Sequence, residues 1–310
     1  MKKILITGGL GFIFSHVTEH FLIGGNDVMV IDNLSAGSHP ELIPEFKALA
    51  AKHGSKFTFL EYDVSFSAVV PIITTFQPEY IIHAAAISDV DYSIKQPVKT
   101  IQANNNATIN VFEAARQIKT LKKLLYVSTD EVYGECDHPK REDEIIFPKN
   151  PYALSKAFGS ILRLAYDNTY PELKDKTVET RFCNVFGPRQ DDRKIIPAIK
   201  RALYGGKPVT LHNDGNGYRQ YIHVSEIPRL VAMILERGDR TYNITTNEGY
   251  TVNDLIYWAE RFTAKFVETV PGKRSGMDMK YQMDGTRLRY ELGYNPSDSF
   301  LNHFRAYLES

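Results

Sequence analysis

The chain has 310 residues, enough for one large domain or two unequal ones, and its 43% hydrophobic and 24% charged content is ordinary for a soluble globular protein. Its 37 basic and 37 acidic residues cancel, which argues against nucleic acid or an anionic membrane surface as partner. Two cysteines, Cys136 and Cys183, make neither a disulfide framework nor a zinc spacing, and no apolar run reaches membrane-spanning length, so the expectation is a cytoplasmic protein with reduced thiols and no metal.

Short apolar runs alternate with longer amphipathic stretches. "KKILITG" predicts a strand and "GFIFSHVTEHFLIGG" a helix closed by Gly24 and Gly25. "DVMVID", "KFTFLEYD" and "EYIIHAAA" predict three more strands. "ATINVFEAARQIK" has helical spacing, "LKKLLYVST" returns to strand, "PYALSKAFGSILRLAYDNTY" predicts a long helix, and "TVETRFCNVFGP" one further strand. Such alternation implies a parallel sheet with helices on both faces, which takes its ligands beyond the carboxyl ends of the strands. After about residue 185 the pattern loosens into turns, short strands and one clear helix, "IIPAIKRALYGG", with no linker before it. The expected division is 1–184 for the sheet and 185–310 for a smaller substrate-binding lobe, with an interleaved boundary.

"TGGLGFIF" sets Gly8, Gly9 and Gly11 between the first strand and the first helix. Glycine there permits a tight turn and lets backbone approach a pyrophosphate on the positive end of the helix. Asp32 closes the second strand, where a carboxylate accepts from both ribose hydroxyls of an adenosine and repels a 2′-phosphate, so NAD is favoured over NADP. Asp63 and Val64 end the third strand, within reach of an adenine amino group. Ala84 and Ala85 end the fourth, where small side chains suit either a ligand against the backbone or plain tight packing. Phe14 occupies the place of the third glycine, so the helix is expected to move outward or the ring to turn into a local pocket, with a slightly displaced pyrophosphate loop. Further along, Tyr152 and Lys156 share one helical face, where an ammonium can lower the pKa of a phenol and make it a usable base. "STDEVYG" ends the fifth strand in adjacent acids, Asp130 and Glu131.

Together "TGGLGFI", Asp32, "STDEVYG", "PYALSK" and "RFCNVFGPRQ" resemble the extended branch of the short-chain dehydrogenase/reductase family, and within it the nucleotide-sugar 4,6-dehydratases. "IIPAIKRALYGGKPV", "GYRQYIHVSE" and "RLRYELGYNP" extend the likeness through the second half. The resemblance implies an α/β fold, a Rossmann-type doubly wound parallel sheet with a smaller C-terminal α/β lobe. It implies an enzyme that turns dTDP-glucose or UDP-glucose into the 4-keto-6-deoxy sugar and recycles NAD internally. It adds Phe12, Ile13, Asn33 and Ser35 to the cofactor contacts. Tyr152 and Thr129 would serve oxidation at C4 with Lys156 stabilising the phenolate and holding the nicotinamide ribose, Glu131 would take the C5 proton, and Asp130 would protonate the departing C6 oxygen. Glu131 would raise the pKa of Asp130 and keep it an acid.

For the hexose and diphosphate the resemblance implies Ser88, Thr129, Asn184, Arg193, Lys194, Arg219, Asn253, Arg274 and Asp278. Arginine suits a diphosphate because its planar fork pairs two oxygens, and Arg219 and Arg274 are the favoured pair. Arg193 reads equally as a solvated charge beside Asp191 and Asp192. His223, in "RQYIHV" where the dehydratases have tyrosine, reads as a packed or surface histidine and not a catalytic one, as do His16 and His212. A homodimer through helices at 100–119 and 151–169 is implied by the resemblance, although the same faces could cover the sheet within one chain. The competing readings are an NDP-sugar 4-epimerase, a UDP-glucuronate decarboxylase, and a non-catalytic NAD-binding regulator.

Overall fold

The computed structural model describes residues 1–35, 37–273 and 279–310. In its first half β1 (Lys3–Thr7), α1 (Phe12–Ile23), β2 (Asp27–Asp32), α2 (Leu42–His53), β3 (Lys56–Glu61), α3 (Val69–Phe76) and β4 (Tyr80–His83) follow in strict alternation. Helices α4 (Val90–Lys95) and α5 (Pro97–Ala115) lead to β5 (Lys123–Thr129), and α6 (Pro151–Thr169) to β6 (Thr177–Phe182). The second half runs β7 (Asn184–Phe186), α7 (Ile195–Leu203), β8 (Val209–His212), β9 (Tyr218–His223), α8 (Ile227–Arg237) and β10 (Thr241–Ile244). It ends with β11 (Gly249–Thr251), α9 (Val252–Thr263), β12 (Thr269–Gly272), α10 (Thr286–Leu292) and α11 (Phe300–Glu309).

Seven strands form one sheet in the order β10-β6-β5-β4-β1-β2-β3, every pair parallel. The sheet is sandwiched, so its inner strands are apolar on both faces and β4 is buried at every position. Phe14, Val17 and Phe21 of α1, Phe46 of α2, and Leu230 and Ile234 of α8 pack one face. Ile73 of α3 and Val111 and Phe112 of α5 pack the other, with Leu162 and Tyr166 of α6 beside them. The strand order reverses between β1 and β4, which opens a crevice at their carboxyl ends. A separate apolar core ties α7, α9 and α11 together through Ile199, Leu255, Phe300 and Phe304. Two small sheets, β11-β9-β7 and β12-β8, carry this lobe.

The structure departs from the sequence reading at several elements. "TVETRFCNVFGP" is two strands, not one: Cys183 N donates to Ile244 O at 3.1 Å, and the next residue, Asn184, pairs with Tyr221 in another sheet. The chain thus changes sheets at a single residue. Helix α2 occupies a stretch to which no element was assigned, and α5 begins ten residues before the expected "ATINVFEAARQIK", at Pro97, whose fixed φ suits a first helical position. The second half holds several helices where one was expected. It also returns to the main sheet, since β10 forms its edge beside β6 and α8 packs on α1, so residues beyond 184 help build the first lobe.

Phe14 turns inward. Its ring is 5% exposed and meets Phe182 edge-on at 6.4 Å, filling the space between α1 and the end of β6.

Candidate active site

The loop from β1 to α1 is shaped by close backbone approach. Gly8 adopts φ +72, and a Cβ there would stand 2.9 Å from the Cα and N of Ala85. The turn is closed by Gly8 N donating to Ile31 O at 2.8 Å and Gly11 N donating to Gly8 O at 3.1 Å. Gly11 caps α1 without any side-chain bond, so the amides of Phe12 and Ile13 begin the helix uncapped by protein side chains. Asp32 is buried and accepts from Leu10 N, Leu34 N and Ser38 Oγ at 2.8–3.1 Å. A carboxylate offers about four acceptor sites, so these bonds orient it and leave capacity for a ribose. Asn33 Nδ2 donates to Asp63 Oδ2 at 3.0 Å, Ser35 N donates to Asn33 Oδ1, and Val64 lies buried beside them. These residues line up along the carboxyl ends of β2 and β3. Below the loop, His83 bridges Thr7 Oγ1 at 2.9 Å and Thr108 Oγ1 at 3.2 Å, with burial pushing its pKa down to about 3.

At the end of β5 the chain tightens into a single turn, Asp130–Tyr133. Thr129 Oγ1 donates to Asp130 Oδ1 at 3.1 Å and also accepts from Glu131 N, so Thr129 caps the turn. Tyr133 anchors it from beneath: its hydroxyl donates to Asn243 Oδ1 at 2.9 Å and accepts from Arg181 Nη1 at 2.7 Å. Gly134 ends the turn at φ +68, where a Cβ would collide with Phe147 O. Burial first, then the charge of Glu131, raises the pKa of Asp130 from 3.8 to about 7, the direction expected from the pair.

Tyr152 and Lys156 project from the first turns of α6, which begins at the side-chain cap Asn150 followed by Pro151. Here the expected electrostatics fail. Burial, followed by the negative charges of Glu131 and Asp130, holds the Tyr152 phenol above its ordinary value, with only its hydrogen-bond interaction with the Thr129 side chain acting the other way. Lys156 Nζ lies over the Tyr126 ring, 4.6 Å from its centroid, and burial lowers its pKa to about 7. Burial first, and then the two neighbouring carboxylates, thus keep the phenol protonated in the protein alone.

The residues expected to grip the substrate divide. Arg219 stacks over Tyr281 at 4.3 Å, donates to Tyr218 O at 2.7 Å, and is close enough for its charge to oppose the rise of Asp130. Ser88 is exposed on the loop after β4, and Asn184 donates to Gln220 O at the start of β7. Arg193 is exposed and forked onto Asp191, its Nη2 at 2.6 Å. Lys194 is exposed at the start of α7. Asn253 is turned to Asp214 O at 2.9 Å and Asn216 Oδ1, tying a loop of the second lobe. Arg274 and Asp278 lie outside the described residues. His223 is packed, as expected, between Phe186 and His303, whose ring stacks on it at 4.7 Å.

A family model described as GDP-mannose 4,6 dehydratase matches residues 5–305. The chain belongs to this family. The dTDP-glucose 4,6-dehydratase of Salmonella typhimurium is 29% identical to it over 339 residues, covering 99% of this chain and 92% of the relative. A UDP-glucose 4-epimerase from Thermotoga maritima, solved with UDP-glucose, shares the fold with a TM-score of 0.89 and 28% identity over 99% of this chain and 97% of its own. A dTDP-glucose 4,6-dehydratase from Streptomyces venezuelae, solved with NAD, gives 0.87 and 29% over 100% and 96%. The chain is therefore an enzyme of the NAD-dependent dehydratase type on the extended short-chain dehydrogenase/reductase fold. The uncapped start of α1 and the glycine cradle against Ala85 fit the pyrophosphate of that cofactor. Dehydratase and epimerase share this framework, so the fold leaves the choice of reaction to the site.

Two site residues escaped the sequence reading. Asn104 binds both the N–H and the C=O of Ile87 and donates to Ser155 Oγ at 2.9 Å, joining the loop of Ala84 and Ala85 to α6. Asn150 was legible only as a polar residue before Pro151, an N-cap signal that nothing in the motifs singled out.

Proposed function

We propose that the enzyme is an NDP-glucose 4,6-dehydratase acting on dTDP-glucose or UDP-glucose. The observation that carries the reading is the pair at the end of β5: a buried Asp130 with a pKa of about 7 beside Glu131, both within electrostatic reach of Tyr152. Epimerisation at C4 needs no acid of this kind. Loss of water needs a base for C5 and an acid for the C6 oxygen.

Gly8, Gly11, Phe12, Ile13, Asp32, Asn33, Ser35, Asp63, Val64, Ala84, Ala85, Tyr152 and Lys156 would hold NAD, which would serve as a hydride acceptor regenerated in each turnover. Tyr152 takes the C4 hydroxyl proton while Thr129 hydrogen-bonds the same oxygen. The phenol starts above its ordinary value, so substrate and cofactor must bring the compensating charge that Lys156 alone does not. A C4 ketone acidifies C5–H. Glu131 removes that proton, and Asp130, whose pKa of about 7 keeps roughly half of it protonated near neutrality, gives its own to the leaving C6 hydroxyl. With the hydride taken from C4 delivered to C6, a proton returned to C5 would complete the 4-keto-6-deoxy sugar. Arg219, stacked over Tyr281 and near Asp130, is the cation best supported for the diphosphate. Exposed Leu154, Ile161 and Leu164 share one face of α6, which supports pairing of two copies through this helix.

Substrate deuterated at C4 tests the reaction. Dehydration transfers the label to C6 of a 4-keto product; recovery of the galacto isomer with its C6 hydroxyl intact would sink the proposal.

A further inference from the structure

The turn that holds Asp130 and Glu131 and the helix that holds Tyr152 and Lys156 meet at one side chain. Asn150 is 8% exposed. Its Oδ1 accepts from Ala153 N at 2.8 Å, capping α6, and its Nδ2 donates to Glu131 Oε2 at 2.7 Å. The cap fixes which end of the amide is oxygen, because the backbone N–H can only be met by an acceptor. The amino end is thereby committed to the carboxylate.

We infer that Asn150 is a positioning residue for loss of water, tying the carboxylate that takes the C5 proton to the helix that carries Tyr152. The inference rests on the dehydratase reading and deepens it. Serine and asparagine cap helices about equally well, so capping alone does not call for an amide. Asparagine does two jobs at once: one end seals the helix while the other donates a charge-assisted bond that favours the ionised carboxylate. Among the described groups whose charge bears on Glu131 are Asp130 on its own turn and Tyr152 from α6, both unfavourable to a second negative charge. The amide donor opposes them. It also holds a long side chain in one orientation relative to Tyr152, so that a sugar oxidised at C4 already has its C5–H beside the base.

Asn150→Ser keeps a capping oxygen and removes the amide, while Asn150→Asp keeps the cap and sets a carboxylate against Glu131. With dTDP-glucose or UDP-glucose, Asn150→Ser is expected to lose water about ten- to thirtyfold more slowly, with KM changed by less than about threefold. Reduced nicotinamide should accumulate during turnover, because oxidation at C4 continues while elimination lags. Asn150→Asp should be slower still, and the melting temperature of Asn150→Ser should stay within about 2 °C of the parent. Elimination by Asn150→Ser at the parent rate would overturn the inference, as would activity losses that merely track melting temperature without reduced cofactor building up. Failure of the dehydratase reading is separable, since it shows in the unsubstituted enzyme as epimer without loss of water; that result removes the role inferred for Asn150 as well.

Discussion

Asp130 is an acid that the folded protein prefers to keep neutral. Its unfolded value lies near 3.8 and its native value near 7, raised mainly by burial and then by Glu131. A group shifted upward in this way favours folding most below about pH 4, and that contribution is lost as pH rises toward 7, where the native state must carry a buried charge. Asp130→Asn removes the penalty. Its stability should nearly match the parent near pH 4 and exceed it at pH 8 by on the order of 4 kcal/mol, read from urea melts at the two pH values. The same variant should lose water at least about a hundredfold more slowly, with reduced nicotinamide accumulating, because no proton donor remains for the C6 oxygen. Greater stability together with poorer catalysis in one substitution is the signature of a residue kept for chemistry.

At the scale of elements, Phe14 shows how a motif position can be reused. The ring occupies the interval between α1 and β6 and packs on Phe182. Restoring the glycine that the family pattern calls for should therefore weaken the fold. Phe14→Gly is expected to cost about 4–6 kcal/mol, from the cavity and from glycine inside a helix, measured by thermal or denaturant unfolding. The sheet's alternation, its glycine turn and the acid pair were legible because each rests on local spacing or on residue type. The break at Cys183 was not, because "RFCNVF" is continuously suited to a strand and only partners distant in sequence, Ile244 on one side and Tyr221 on the other, divide it. The bond of Asn253 to Asp214 O was hidden for a similar reason, since loop conformation makes it. Tyr152 is the reverse case: it shares α6 with Lys156, as the spacing implies, but that spacing says nothing about burial or about where two carboxylates on another element will lie.

For the whole molecule, the outward face of α6 is the feature that bears on assembly. Leu154, Ile161 and Leu164 are each about half exposed on the helix that also carries Tyr152, and Val98 of α5 is exposed as well. If two copies pair there, Ile161→Glu should convert the dimer to monomer, weakening association by more than about a hundredfold in sedimentation experiments, with catalysis per chain reduced as the catalytic helix loses its support. A parent that sediments as a monomer at micromolar concentration would remove this expectation. The return of β10 to the edge of the main sheet reaches further. A gene divided after residue 184 would leave β6 as a bare edge and strip α8 from α1, so neither half is a transferable module. New sugar preferences in such an architecture must arise by substitution in place, through loops at the mouth of the crevice, because recombination cannot exchange one lobe without unravelling the other.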